Sequence, residues 1–325
     1  MKALLCNAFG PLAQLTVQEV AAPRPGARQV LIDVKAAALN FPDALMVQGL
    51  YQVKPPLPFV PGAEFSGVVA EVGAEVRNCK VGDRVIAYGL GGFAEQAVAD
   101  AARIMPLPPG MGFDSGAALV LTYCTSLHGL RDRGRLQAGE TLLVLGAAGG
   151  VGVAAIEIGK AMGAHVIAAA SSDAKLALCQ QLGADAVINY ASDNLRERID
   201  ELTGKRGVDV VYDPVGGTYT EPAVRCLAWG GRLLVVGFAA GDIPKIAINH
   251  LLLKERSLLG VYWGESVKHH PQQQLDNIRQ LLEWFAAGQV KPLISERVPL
   301  AGATAAMARL AGRQVMGKVI VLPET

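Results

Sequence analysis

The sequence predicts an α/β protein of two domains, an irregular, strongly bent β domain and a doubly wound parallel sheet, and three observations carry the prediction. The chain has 325 residues, beyond the roughly 250–300 at which a single hydrophobic core stops growing. Up to about residue 120, short apolar runs are broken by Gly and Pro, as in a bent β domain. From about residue 140, strand-like runs alternate with helical patterns, the signature of a parallel sheet covered on both faces.

In the first region Ala3–Cys6, Gln29–Ala36, Ser66–Val72, Asp83–Ala87 and Gln96–Ala99 read as strands. The opening run Ala3–Cys6 is too short for the apolar core of a signal peptide, and Gly10–Pro11 follows, so a first strand is expected. In the second region Thr141–Gly146 reads as a strand, Gly150–Met162 as a helix, His165–Ala170 as a strand and Ala174–Leu182 as a helix. Strand Ala186–Tyr190, helix Asn194–Leu202, strand Val208–Tyr212, helix Tyr219–Leu227 and strand Arg232–Phe238 continue the alternation. Ser257–Trp263 is a further apolar run, and Gln272–Ala287 is an amphipathic helix opened by Pro271. Val298–Leu300, helix Gly302–Ala311 and strand Lys318–Leu322 resume the pattern of the first region. The expected division is therefore 1–124 with 265–325 for the β domain and 125–264 for the sheet domain.

Composition excludes other classes. Charged residues make up 18% of the chain and hydrophobic ones 51%, which suits a membrane protein or an enzyme with large buried sheets. Uncharged runs such as Ala3–Gln18 and Ser115–Leu130 fall short of the roughly 18 apolar residues of a span, so no membrane partner is expected. Thirty Lys+Arg against 29 Asp+Glu give a net charge of +1, too balanced for a nucleic-acid partner. Five cysteines without a CxxC pair argue against a disulfide framework and for a reducing, cytoplasmic setting.

The most informative segment is Gly146–Gly152, between the first strand and helix of the second region. Its Ala148, Gly149, Gly150, Val151 and Gly152 let backbone approach a pyrophosphate, and the helix start supplies free N–H groups and positive partial charge. Ala147 departs from the G-x-G-x-x-G pattern, but the strand, turn, helix, strand context supports dinucleotide binding. Folds that bind NAD place a carboxylate at the end of the second strand. Here that strand ends Ala168-Ala169-Ala170, followed by Ser171-Ser172-Asp173-Ala174-Lys175. Without the carboxylate, Ser171, Ser172 and Lys175 can donate to a 2′-phosphate, so NADPH is the expected cofactor. Asp173 is expected to cap the following helix. Tyr190, ending the third strand, is placed either against the adenosine or in the core.

Ala36–Tyr51 (AAALNFPDALMVQGLY), Pro61–Gly67 (PGAEFSG), Val81–Arg84 (VGDR), the Gly146–Gly152 loop and Gly317–Val321 (GKVIV) resemble the medium-chain dehydrogenase/reductase superfamily. The chain is most similar to its zinc-free NADPH:quinone oxidoreductases, the zeta-crystallin-like group. The resemblance covers essentially the whole chain and implies a GroES-like β domain with a Rossmann domain. Zinc-dependent relatives carry a Cys, a His in a Gly-His-Glu motif and a third ligand. Here those regions read Leu39-Asn40-Phe41-Pro42-Asp43, Gly62-Ala63-Glu64 and Leu121, with Cys124 three places beyond the last. No metal is therefore expected, which disfavours oxidation of an alcohol.

The resemblance implies hydride transfer to a quinone or to the β-carbon of an α,β-unsaturated carbonyl. It places Asn40, Tyr51 and Thr125 around the nicotinamide, with Gly237, Phe238, Val261 and Tyr262 at the same end and Arg313 near the adenosine phosphate. Tyr51 is the first candidate to orient or protonate the acceptor, with Asn40 and Asp43 behind it. Enoyl-thioester reductases of the superfamily use a tyrosine where this chain has Leu45. Two alternatives remain open: a 2-enoyl-CoA or acrylyl-CoA reductase, and a non-catalytic NADPH-binding protein with a structural or RNA-associated role. The Ser257–Trp263 run is expected at a sheet edge that pairs two copies into a homodimer.

Overall fold

The computed structural model describes residues 1–324. The chain forms two compact units, Met1–Leu121 together with the segment from Pro292 onward, and Thr122–Lys291. The first unit opens with β1 (Lys2–Leu5) and β2 (Thr16–Glu19), then β3 (Gln29–Ala38), α1 (Phe41–Val47), β4 (Glu64–Val72), β5 (Arg84–Tyr88), β6 (Gln96–Asp100), β7 (Ile104–Pro106) and α2 (Phe113–Ala117). The second unit contains α3 (Thr125–Leu127), β8 (Thr141–Leu145), α4 (Gly150–Ala161), β9 (His165–Ala170), α5 (Asp173–Gln181) and β10 (Ala186–Asn189). It continues through α6 (Leu195–Thr203), β11 (Val208–Asp213), α7 (Thr220–Arg225), β12 (Leu227–Val235), α8 (Asn249–Leu252), β13 (Ser257–Gly260), α9 (Trp263–His269) and α10 (Pro271–Ala286). The chain then re-enters the first unit with β14 (Ile294–Pro299), α11 (Ala303–Ala311) and β15 (Lys318–Leu322).

In the first unit the strand order β14-β15-β3-β4-β5-β7, with β6 also on β3, makes a mixed sheet in which β15 pairs antiparallel with β3 and parallel with β14. Strand β3 alternates less and less along its length. Its Ala36, Ala37 and Ala38 are all buried, Ala37 in the main core and its two neighbours against Ala117 and Ala118. Small side chains are what a strand covered on both faces accommodates. Helix α1 begins at an extended Asn40 and carries Pro42 in its first turn, where no backbone N–H is needed. It is followed by Gly49 at φ +69°, where a β-carbon would also meet the Phe9 ring.

The second unit is a six-stranded sheet of order β10-β9-β8-β11-β12-β13, parallel throughout. Every residue of β8 is buried, as expected for a central strand with helices on both faces. The order reverses between β8 and β11, and at such a reversal the carboxyl ends of the strands open a crevice.

Three expectations differ from the structure. Helices α9 and α10 pack within the second unit, so the return crossing falls at Lys291/Pro292 instead of 264/265, and the first crossing at Leu121/Thr122 instead of 124/125. Polar bonds tie α10 to the start of this unit: Gln274 Nε2 donates to Cys124 Sγ (3.6 Å), and Asn277 Nδ2 donates to Asp132 Oδ2 (2.8 Å). Strand β12 runs 227–235, not 232–238, because the N–H groups of Val236 and Gly237 turn to the carbonyl of Asp213. The Ser257–Trp263 run is a short strand to Gly260, and Trp263 opens α9.

Candidate active-site regions

In the second unit the candidate residues gather at the carboxyl ends of the strands. Gly146 leaves β8 at φ +57°, where a β-carbon would lie 2.8 Å from Val215. Ala147 and Ala148 are buried, and Gly149 caps α4 without any side-chain hydrogen bond. The N–H groups of Gly150, Val151 and Gly152 belong to the first turn, which has no intrahelical acceptors and here no acidic side chain. Gly152 serves another purpose. A β-carbon there would lie 2.4 Å from Gly146 O and 2.7 Å from Ala147, so only glycine lets the helix lie on the loop. Backbone donors at the positive end of a 12-residue helix, half-buried at Gly150 and Val151 and buried at Gly152, fit a diphosphate.

At the end of β9, Ser171 is exposed and the half-buried Ser172 is the N-cap of α5, its hydroxyl making no cap bond. Asp173 is not that cap. It is the first helical residue, and its carboxylate accepts from Asn189 Nδ2 at 3.0 Å. Lys175 is half-buried one turn further on. Tyr190 sits beyond β10, its N–H on Ala170 O and its ring 4.5 Å from that of Tyr219. The donor set at this strand end, two hydroxyls and an ammonium, with the neighbouring Asp173 carboxylate engaged by Asn189, fits a phosphomonoester.

The ends of β11, β12 and β13 carry the other group. Asp213 is buried and accepts from the N–H groups of Val215 (2.8 Å) and Gly216 (2.9 Å) and from Thr220 Oγ1 (2.6 Å), which holds the loop beyond β11. Sequence reasoning missed it, although a lone acid ending an apolar strand before Pro-Val-Gly-Gly was a usable signal. Gly237 and Phe238 follow β12, with the half-exposed Phe238 ring against Gly216, while Val261 is buried and Tyr262 half-exposed beyond β13. Thr125 is half-buried in α3, and its neighbour Ser126 bonds to Val151 O (3.0 Å) and the Tyr212 hydroxyl (2.9 Å), fixing this segment to α4 and β11.

In the first unit the structure assembles a buried polar cluster. Asn40, Asp43, Glu64 and Lys318 are 5%, 0%, 0% and 3% exposed. Lys318 Nζ donates to Asn40 Oδ1 (2.6 Å), Glu64 Oε1 (2.9 Å) and Leu39 O (3.0 Å). Asn40 Nδ2 donates to Glu64 Oε1 (2.9 Å) and Ala38 O (3.2 Å), and Glu64 Oε2 accepts from Leu121 N (2.8 Å). Asp43 accepts from the backbone N–H groups of Asn40 (2.9 Å) and Gly62 (3.3 Å). Burial pushes the Asp43 carboxyl up to about 7. Those two N–H bonds and Lys318 pull it down, and Glu64 adds to the rise. Asp43 has no exposed surface. Tyr51 is half-buried against the same core, its N–H on Leu45 O (3.2 Å). Arg313 is exposed at φ +60° just beyond α11. Glu64 and Lys318 were missed as functional candidates by sequence reasoning.

The positions of the zinc ligands in related chains offer nothing that fits zinc. Ala63 has no donor, and Asn40 spends its amide internally. Among the described residues no group of three or more His, Cys, Asp or Glu is placed to hold a metal ion, and no helix is long and apolar enough to cross a membrane.

Residues 26–109 match the alcohol dehydrogenase GroES-like domain family and residues 150–286 the zinc-binding dehydrogenase family. The chain is 38% identical to a quinone oxidoreductase-like protein 2 homolog of Nematostella vectensis, over 98% of this chain and 88% of that protein. The structure of Escherichia coli quinone oxidoreductase complexed with NADPH is similar at a TM-score of 0.93 and 28% identity, over 99% of this chain and 100% of the other. The CurK enoyl reductase structure is similar at a TM-score of 0.89 and 28% identity, over 99% and 98%.

Proposed function

We propose, from the premise that the chain belongs to the quinone oxidoreductase-like group of the medium-chain dehydrogenase/reductase superfamily, that it is an NADPH-dependent reductase of quinones or α,β-unsaturated carbonyls. The observation that carries this reading is the end of β9, where the strand closes on Ala168-Ala169-Ala170 with no carboxylate of its own, Ser171, Ser172 and Lys175 follow, and Asp173 is engaged by Asn189 Nδ2. NADPH supplies the hydride.

The chain's own residues bind, orient and shield. Gly150, Val151 and Gly152 present N–H groups to the diphosphate, Ser171, Ser172 and Lys175 take the 2′-phosphate, and Tyr190 backs the adenosine. The family resemblance supports Asn40, Tyr51, Thr125, Gly237, Phe238, Val261 and Tyr262 as the lining of the nicotinamide end, and Arg313 as a contact of the adenosine phosphate. An acceptor activated by conjugation develops negative charge on oxygen, which the Tyr51 hydroxyl and solvent can meet with a proton.

The likeness to an enoyl reductase favours one second reading, an enoyl-thioester acceptor. Leu45 in place of a tyrosine weighs against it. Oxidation of NADPH followed in parallel with 1,4-quinones, alkenals and short enoyl-CoA thioesters tests both. Turnover with either of the first two is expected, turnover only with thioesters supports the second reading, and none with any class overturns catalysis. Lys175→Ala is expected to weaken NADPH about tenfold or more while sparing NADH, a charge-assisted contact being lost. Equal losses would remove the 2′-phosphate assignment.

The same reading includes a homodimer through β13, which among the described residues pairs only with β12. Trp229, Ile248, Leu252 and Leu253 are exposed by 66–80% in the strands and segment beside it. A monomeric mass in solution would count against it. The cysteines, all free, fit a cytoplasmic setting.

A further inference from the structure

We propose that Lys318 is a positioning residue for the reaction, its buried ammonium holding the Asn40 amide in one orientation, so that this side chain has no hydrogen bond to donate to a ligand. The inference rests on the reductase reading for its consequence and on geometry for its content. Lys318 has three N–H donors, and all three are used, on Asn40 Oδ1, Glu64 Oε1 and Leu39 O. Both Nδ2 hydrogens of Asn40 are used as well, on Glu64 Oε1 and Ala38 O. Its Oδ1 accepts from Lys318, and the capping box at the start of α1 turns the Asp43 N–H toward the same side chain.

The reversed amide is excluded by its neighbours. Turned over, Asn40 would aim NH2 at an ammonium and its oxygen at the Glu64 carboxylate and the Ala38 carbonyl, setting donor against donor and acceptor against acceptor at 2.6–3.2 Å. Lys318 and Glu64 therefore choose the orientation, and the backbone Leu39 carbonyl fixes where the ammonium sits. The chemical consequence divides labour within the unit. A developing oxyanion cannot find a donor at Asn40, which leaves that task to Tyr51 or solvent. Asp43 faces this group from α1, and its surroundings complete the charge inventory: Lys318 and two backbone N–H groups favour its ionised form, Glu64 opposes it.

Two measurements test the inference. Neutron diffraction from crystals of the perdeuterated wild-type protein locates the deuterons directly. Three on Lys318 Nζ, with one toward Asn40 Oδ1, and both Asn40 Nδ2 deuterons toward Glu64 and Ala38 are expected; Nδ2 facing Lys318 would overturn the assignment whether or not any variant folds. In the second, Lys318→Met with Glu64→Gln removes the ion pair as a pair, which buried pairs often tolerate. The double variant is expected to keep its melting temperature and its NADPH affinity within about twofold, while kcat falls on the order of 10²-fold through loss of alignment. A folded double variant with wild-type kcat would reduce Lys318 to a structural role. Absence of turnover by the wild-type protein would instead strike the reductase reading and leave the neutron result standing.

Discussion

The two units build their polar centres by opposite means. At the start of α4 the second unit offers bare backbone, three N–H groups from consecutive residues with no side-chain cap beside them. The first unit builds its polar centre from four buried side chains, Asn40, Asp43, Glu64 and Lys318, brought together from α1, β4 and β15 and the turn before α1. A backbone site depends on side chains only where a β-carbon would collide. A site of buried charges depends on every member, because each leaves its partners desolvated and unpaired when removed. The contrast teaches where each unit is fragile.

The largest effect is expected from Glu64→Ala. It strips acceptors from Lys318 Nζ, Asn40 Nδ2 and Leu121 N together, and a buried ammonium left without its counter-charge costs about 3–5 kcal/mol. Urea denaturation measures it, and a loss below about 1 kcal/mol would show that the cluster is wetter than its burial implies.

The second expectation concerns pH. Asp43, raised to about 7 in the folded chain from an ordinary value near 3.8, binds its proton more tightly folded than unfolded. Its contribution to stability is therefore complete below about pH 4 and is lost as pH rises through about 7, on the order of 4 kcal/mol across that window. Comparing wild type with Asp43→Asn at each pH isolates this from other carboxylates. The variant should gain on wild type as pH rises from about 4 to 7, and parallel curves would break the assignment.

The smallest of the three is Gly152→Val in the backbone site. A β-carbon 2.4 Å from Gly146 O forces α4 off its loop, for about 1–3 kcal/mol of stability and a clear loss of NADPH affinity. If stability falls and affinity does not, the amino end of α4 is not the diphosphate site.

The same contrast decides what could be read from the sequence. The alternation of β8 to β11 with their helices and the Gly146–Gly152 loop were legible because each is local: a strand, a turn and a helix start within some twenty consecutive residues. Strand β15 was legible to the residue from its apolar run. The polar cluster was not, since nothing near Lys318 announces that it will meet Asn40, 278 positions away toward the amino terminus. Asn40 and Asp43 were found through resemblance alone, without the partners that define them. The boundary at Lys291 was illegible for a related reason. An amphipathic α10 shows that it has an apolar face but not which core receives it, and the bonds that settle the matter, from Gln274 and Asn277, run to residues about 150 positions away. The end of β12 was misplaced because Val236 and Gly237 look like strand but give their N–H groups to a bend at Asp213.

The pairing of β15 between β3 and β14 orders events in time as well as in space. A ribosome adding roughly 5–20 residues per second needs roughly 15–55 s to travel from Asn40 to Lys318. Through that interval β3 has an open edge and Glu64 lacks its cation, while the second unit, whose sheet is drawn wholly from Thr122–Lys291, can emerge and close. The sheet of the second unit is thus complete in sequence before that of the first. A chain cut short before Lys318 would retain the whole glycine loop and lack the ammonium that arranges Asn40.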